Sequence, residues 1–259
     1  MVLHGGPGAH HEYLLPQMLA LSDDYDMVFY DQRGGGRSKT DGRDTITWQT
    51  QVDDLSLTAH ELISGPLTLV GYSWGGLLAM LYASSDLRPK VRRMILIDPA
   101  SPSRAQRREF ESAFNERQNS PWVRDERAAL AASGLRDSDP EAFRQRSFEL
   151  SVAGYFADPA MARELTPFRV TSRVQQSIWE SLGEFDLLPQ LGQLNIPTLV
   201  IHGRQDPIPL ASSEAVAAAL NGRLVVLDDC GHVPYVERPA SLFDAVRSFL
   251  RDAPPRASE

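Results

Sequence analysis

Ser73 stands in the pentapeptide Gly71-Tyr72-Ser73-Trp74-Gly75, behind the apolar run Leu67-Thr68-Leu69-Val70 and ahead of Gly76-Leu77-Leu78-Ala79-Met80-Leu81. A G-x-S-x-G pattern between a strand and a helix sets its serine on a sharp, strained turn, with the hydroxyl held proud of the sheet at a helix N-terminus. Glycines on either side leave room for strand and helix to approach closely. A nucleophile would stand in such a place. A serine hydroxyl attacks poorly near neutral pH unless a histidine takes its proton and an acid orients that histidine. The chain offers His202-Gly203-Arg204-Gln205-Asp206 and Gly231-His232-Val233-Pro234, each directly after a strand-like run. Serine, acid, histidine is the chain order that goes with this kind of turn. Asp206 is therefore expected as the orienting acid and His232 as the general base. Asp98, which also ends a strand, is the rival acid, with Asp228 and Asp229 behind it. His4 belongs to a glycine loop, His10 and His11 follow it, His60 falls on a helix, and His202 reads as structural.

Acyl transfer also requires donors aimed at a developing oxyanion. The backbone N–H of Trp74, directly after the serine, is one candidate. The other should come from the loop after the first strand, His4-Gly5-Gly6-Pro7-Gly8, where glycines let the backbone turn an N–H inward; Gly6 is the candidate. The single cysteine, Cys230, lies two residues before His232, but reads as a small apolar residue at a strand end. No metal-ligand set and no cofactor motif stands out.

These side chains need a scaffold. Strand-like runs occur at Val2–His4, Asp26–Tyr30, Leu67–Tyr72, Met94–Asp98, Thr198–Gly203 and Leu224–Leu227. Most are continuously apolar, as in parallel strands buried on both faces. Helical patterns lie between them: Trp48, Val52, Leu55, Ala59 and Leu62 behind a Thr47 cap, the alanine-rich Ser212–Leu220, and Leu242, Val246 and Phe249 in a last helix opened by Pro239. Alternating strand and helix predicts an α/β fold with a doubly wound, mostly parallel sheet. The alternation breaks between Pro99 and about Leu188, a stretch rich in Arg, Glu and scattered aromatics, which predicts an inserted helical cap. The expected organisation is a core over residues 1–98 and 189–251, a cap over 99–188, and a flexible tail over 252–259. The clustered Arg104, Arg107 and Arg108 read as a solvated helix face interleaved with Glu109 and Glu111.

At 259 residues, 42% hydrophobic and 23% charged, the chain has the composition of an ordinary globular protein. A net charge of −8 argues against a nucleic-acid or anionic-membrane surface. No run approaches the length of a membrane span, and the N-terminus lacks the basic segment and apolar core of a signal peptide. One cysteine permits no internal disulfide and fits a reducing compartment, so a cytoplasmic location is expected.

Together the motifs resemble the α/β-hydrolase superfamily and, within it, the proline iminopeptidase (prolyl aminopeptidase) family. The resemblance rests on His4-Gly5-Gly6-Pro7-Gly8, Asp31-Gln32-Arg33-Gly34-Gly35-Gly36-Arg37-Ser38, Gly71-Tyr72-Ser73-Trp74-Gly75-Gly76, Asp206 and Gly231-His232. It implies the α/β-hydrolase fold and metal-free release of an N-terminal residue, often proline, from short peptides or amides. Asp31 or Arg33 would brace the oxyanion loop. The family has a hairpin ahead of the H-G-G-P-G strand, whereas this sequence opens on that strand. Family members bind the substrate's free amine with cap acids. No short motif marks these here; Glu149, Glu180, Glu184 and Asp186 are available, and Glu180 and Glu184 lie nearest the cap's return to the sheet. An acid facing Ser73 would favour the peptidase, and an apolar cleft a carboxylesterase acting on small acyl esters. A non-catalytic binding protein on the same fold would typically lack a triad member, and none is lacking here. Dehalogenase and epoxide-hydrolase relatives need a carboxylate where Ser73 stands.

Overall fold

Leu69, Met94, Leu96 and Val200 pack into one buried cluster, and their strand neighbours Val70, Ile95, Ile97, Leu199 and Ile201 into another. Successive strand residues point to opposite faces, so two apolar clusters mean a sheet covered on both sides. The structure, a computed structural model, describes residues 1–41, 44–87 and 91–252. Its five strands, β1 (Val2–Leu3), β2 (Leu67–Tyr72), β3 (Val91–Ile97), β4 (Thr198–Gly203) and β5 (Arg223–Leu227), run in the order β1-β2-β3-β4-β5. Every neighbouring pair is parallel. Helices α1 (Trp48–Leu62) and α2 (Trp74–Ala83) cover one face, as their apolar spacing requires. On that same face lie Val174 and Ile178 of α6 (Ser172–Leu182) and Val216 of α7 (Leu210–Ala219). Helix α8 (Pro239–Arg251) covers the other through Leu242, Phe243 and Val246. Thr47 and Thr50 cap α1 reciprocally, each hydroxyl accepting from the other's amide at 3.2 and 3.0 Å.

The run expected as a strand over Asp26–Tyr30 is instead a single parallel bridge between Phe29 and Val2. β1 is two residues long and offers partner backbone for little more. The bridge still fixes the topology. From β1 the chain crosses to Phe29 on one side and returns to β2 on the other. A parallel sheet opens a crevice at such a switch point, beyond the strands' carboxyl ends. The loops after β1 and β2 both lead there.

Between β3 and β4 the chain is helical: α3 (Arg104–Gln118), α4 (Pro121–Ala132), α5 (Pro140–Val152) and α6. Arg107 departs from the expected solvated face. Its side chain is mostly buried, with the guanidinium carbon 3.3 Å from the Trp179 ring centre, and Trp179 meets Trp74 edge to face. Arg108 pairs with Glu184, as a surface arginine would. Of the expected tail only Asp252 lies within the described residues. Among the described residues no helix is long and apolar enough to cross a membrane.

The β1–α2 contact sets a hard limit on side-chain volume. A Cβ on Gly75 would fall into the carbonyl of Leu3, whereas one on Gly65 would meet open space. Gly75→Ala is expected to lower unfolding stability by about 1–3 kcal/mol through overpacking. Gly65→Ala should be near neutral. Urea unfolding of the two variants checks this.

Candidate active site

Ser73 joins β2 to α2 with φ 54° and ψ −118°, in a backbone region that favours glycine. The geometry is held from several sides. The Ser73 amide donates to Ile97 O at 3.0 Å, and its carbonyl accepts from Gly76 at 2.9 Å and Ala100 at 2.9 Å. Gly71 and Gly76 let the turn close, since a Cβ on Gly71 would overlap Gly75 and one on Gly76 would press on Pro99. The hydroxyl is thereby presented to His232. Ser73 Oγ lies 2.9 Å from His232 Nε2, and His232 Nδ1 lies 2.7 Å from Asp206 Oδ2. The second oxygen of Asp206 accepts the Ile208 amide at 2.7 Å. A serine hydroxyl donating to an imidazole, with a carboxylate on the far nitrogen, can pass a proton away from the serine as it attacks.

His232 is buried, and burial pushes its ring below the ordinary 6.5, to about 4, with Asp98 and Glu237 opposing. The ring is therefore neutral at neutral pH and free to accept. Burial raises both carboxyls, that of Asp206 and, well above the carboxylate range, that of Asp98. Asp98, Asp206 and His202 bring ligand atoms within 4.8 Å of one another in full burial. Two adjacent negative charges there would repel strongly. Donor count decides which carboxyl keeps the charge. Asp206 takes the Ile208 amide and the His232 ring, while Asp98 takes only the Gly203 amide at 2.8 Å and leaves Oδ2 without a partner. Asp98 is the neutral acid. The same three residues have the makings of a metal site, but the ligand atoms of His202 and Asp206 are already engaged. His202 Nε2 meets Ile208 O at 3.1 Å and its Nδ1 meets Ser213 Oγ at 2.9 Å, while both Asp206 oxygens are engaged. A cation does not fit them.

The loop after β1 is tied to the serine turn by Gln32, a side chain that no local pattern marks for this role. Gln32 donates from Nε2 to His4 O at 2.9 Å and accepts the Trp74 indole N–H at 2.7 Å. Its own amide donates to His4 Nε2 at 3.1 Å, which leaves the His4 proton on Nδ1, facing Gly5 O at 3.0 Å. The expected braces lie elsewhere. Asp31 holds His11 and the Arg37 amide, and Arg33 forks onto Asp54 of α1 at 2.7 and 2.5 Å. Within the loop, Gly5 N–H is committed to Tyr13 Oη at 2.9 Å and Pro7 has no N–H. Gly6, at φ +62°, lines the same cavity as Ser73. Trp74 is the first residue of α2, where helical amides lack intrahelical acceptors.

Glu237 fixes the histidine. It is buried and accepts the amides of Ala157 and Gly231, both at 2.8 Å, and of Val233 at 3.4 Å. The His232 amide donates to Tyr155 O at 2.7 Å and its carbonyl accepts Tyr72 Oη at 3.0 Å. In sequence Glu237 looks like any surface acid of a helix start. Cys230 is fully buried, and burial pushes its thiol far above the usual range, so it stays protonated.

Ser73 and His232 open onto a cavity of about 290 Å³ walled by Tyr13, Tyr72, Tyr155, Phe148, Phe168 and Tyr235, with Leu165, Val170 and Gln175. Among the described residues no carboxylate and no cation lines it. The two acids expected to face Ser73 do not do so. Glu180 accepts from Gln176 at 2.7 Å and Glu184 pairs with Arg108, both exposed beside Trp179 in a separate depression. The helix α6 turns Val174 and Ile178 toward the sheet, which sends Glu180 outward. Glu149 is held by Gln145 and Arg146 within α5.

The chain matches the family described as alpha/beta hydrolase fold over residues 1–239. It belongs to that family, a class of hydrolases. It is similar to the proline iminopeptidase of Lactiplantibacillus plantarum, 26% identical over 96% of this chain and 91% of that protein. Among solved structures it is similar to the proline iminopeptidase of Mycobacterium smegmatis (TM-score 0.68, 21% identity, 96% and 87% covered). It is equally similar to an esterase from Exiguobacterium antarcticum (TM-score 0.71, 20% identity, 97% and 91% covered). The fold class is thus shared by peptidase and esterase alike.

Glu237→Ala should leave three buried amides without an acceptor and cost about 3 kcal/mol or more. Glu237→Gln, which keeps one carbonyl oxygen, should fall between that variant and the parent in urea unfolding.

Proposed function

We propose that this α/β hydrolase is a serine carboxylesterase that acts on small esters with an uncharged, apolar acyl group. The observation that carries the reading is the hydrogen-bonded series Ser73–His232–Asp206 opening directly onto an uncharged aromatic cavity. His232 Nε2 takes the Ser73 proton as Oγ attacks the acyl carbon, and Asp206 steadies the imidazolium that forms. The carbonyl oxygen, now negative, is met by the amides of Gly6 and Trp74. The acyl carbon–oxygen bond then breaks, His232 returns the proton to the leaving oxygen, and an acyl-Ser73 ester remains. Water, deprotonated by His232, releases the acid and restores Ser73. The helices between β3 and β4 act as a cap over this cavity, supplying Phe148, Val152 and Tyr155. Phenolic and phenyl walls favour apolar acyl groups by area burial.

A second reading is favoured by the relatives, which include proline iminopeptidases matched over 96% of the chain. In that reading the acyl group is an N-terminal residue with a free amine, and the leaving group is an amine. A buried ammonium needs a carboxylate or several acceptors to offset desolvation. The described lining supplies no carboxylate, and this sets the esterase reading first.

Turnover of phenyl butyrate, proline anilide and N-acetylproline anilide separates the two. The ester is expected to be the best substrate by kcat/KM; a marked preference for the free-amine anilide would overturn the esterase reading. Ser73→Ala should abolish ester turnover, and a residual rate above about a tenth of the parent would remove Ser73 as nucleophile. Asp206→Asn should cost roughly 10²–10⁴ in kcat by misorienting His232. Asp98→Asn should cost far less, because an amide replaces a group that is already neutral. Since burial lowers the His232 ring, kcat/KM should lose its acid limb below pH 6.5 rather than above it, read from a pH–rate profile.

A further inference from the structure

Outside the cavity described above lies a second, much larger cleft of about 1230 Å³. It runs between α5 and the loops after β1 and around Gly36–Lys39. Phe148 and Phe168 line both spaces, so the two adjoin at these side chains. The inner cavity is uncharged. The outer cleft is not: Lys39, Arg144 and Arg169 all line it. Among the described residues none of the three is in an ion pair. Of its two acids, Glu12 is already paired with Arg37 at 2.7 Å, which leaves Glu141 alone against three cations. His10, in the same wall, keeps Nδ1 buried without a hydrogen-bond partner. A chain of net charge −8 thus gathers positive charge at one concave place beside its site. Clefts lined by one sign of charge focus the field and raise the local concentration and on-rate of the opposite ion.

Resting on the esterase reading, we propose that this cleft is the subsite for the leaving portion of the substrate and that it takes a small molecule bearing a carboxylate or phosphate. The acyl group fills the inner aromatic cavity at Ser73. The alcohol side extends past Phe148 and Phe168, where Lys39, Arg144 and Arg169 meet its negative charge. Carboxylate and phosphate share this chemistry, with arginine suited to either through paired N–H donors.

The test uses three butyrate esters of phenols: unsubstituted, 4-carboxy and 4-phosphonooxy. Each is assayed with the parent protein and with the combined variant Lys39→Gln, Arg144→Gln, Arg169→Gln, whose three side chains are exposed and outside the catalytic machinery. Comparing the two proteins on one ester cancels the leaving group's intrinsic reactivity. The variant is expected to lose about tenfold in kcat/KM on the anionic esters and to keep the parent's rate on phenyl butyrate. The parent's advantage should shrink when salt rises from about 20 mM to about 500 mM. An equal effect of the variant on neutral and anionic esters, or no effect on either, would overturn the subsite. The larger loss on the 4-carboxy or on the 4-phosphonooxy ester identifies which anion the cleft prefers. Calorimetric binding of 4-butanamidobenzoate to the two proteins gives a readout independent of ester turnover. Tighter binding to the parent without ester hydrolysis would sink the esterase reading and keep the subsite; equal or absent binding to both would sink the subsite.

Discussion

The backbone of Ser73 at φ 54° is the constraint on which the rest of the molecule turns. A β-carbon-bearing residue adopts this conformation only where its surroundings over-determine it. Here they do so through β3, whose Ile97 carbonyl takes the serine amide, and through Ala100 and Gly76, which donate to the serine carbonyl. The glycines that flank the turn are consequences of the same geometry. α2 approaches β1 so closely that the Gly75 position has no room for a methyl group. One strained residue thus dictates the spacing of a strand, a helix and a neighbouring strand, and those three elements place one hydroxyl.

Around that hydroxyl the protein has buried several polar groups, most of them matched to a particular partner. His4, Gln32 and Trp74 form one chain of hydrogen bonds from the first loop to the serine turn. Ile208, Asp206 and His232 form a second, and Glu237 gathers three amides into a third. In the low dielectric of this interior the charge state is settled by donor count. His4, His202 and His232 are all pushed down to about 4 by burial and are neutral at neutral pH. Asp98 carries a proton because Asp206, a few ångströms away, has the better donors. Satisfied networks of this kind are rigid, which suits a site that must hold its geometry before substrate arrives.

On the reading proposed above, the arrangement divides chemistry from selection. Ser73, Asp206 and His232 follow the carboxyl ends of β2, β4 and β5 in turn, and on that reading they would serve an acyl ester or an amide equally well. The selecting walls come largely from the helical stretch between β3 and β4, through Phe148, Tyr155, Leu165 and Phe168. The fold itself is shared with an esterase and a peptidase alike.

Much of this was legible in the sequence, for a physical reason: strands buried on both faces must be continuously apolar, and a serine turn of this shape needs glycine at fixed offsets. Those local rules pointed to β2, β3, β4 and β5, to Ser73, and to Asp206 and His232 as residues that the sheet would bring together. What the sequence left open depended on which way side chains face across distances no local pattern encodes. Gln32 reaches Trp74 from 42 residues away in sequence, Glu237 turns inward to three amides, and Arg107 turns under Trp179. Glu180 and Glu184 show the converse. They are acids in the right stretch of chain, but Val174 and Ile178 commit their helix face to the sheet and leave Glu180 in solvent, while Glu184, past the helix end, pairs with Arg108. Residue types and spacing determined which side chains the fold brings to Ser73. Only packing decided what surrounds it, because whether a charge lines a cavity is set by the burial of the apolar face of its helix.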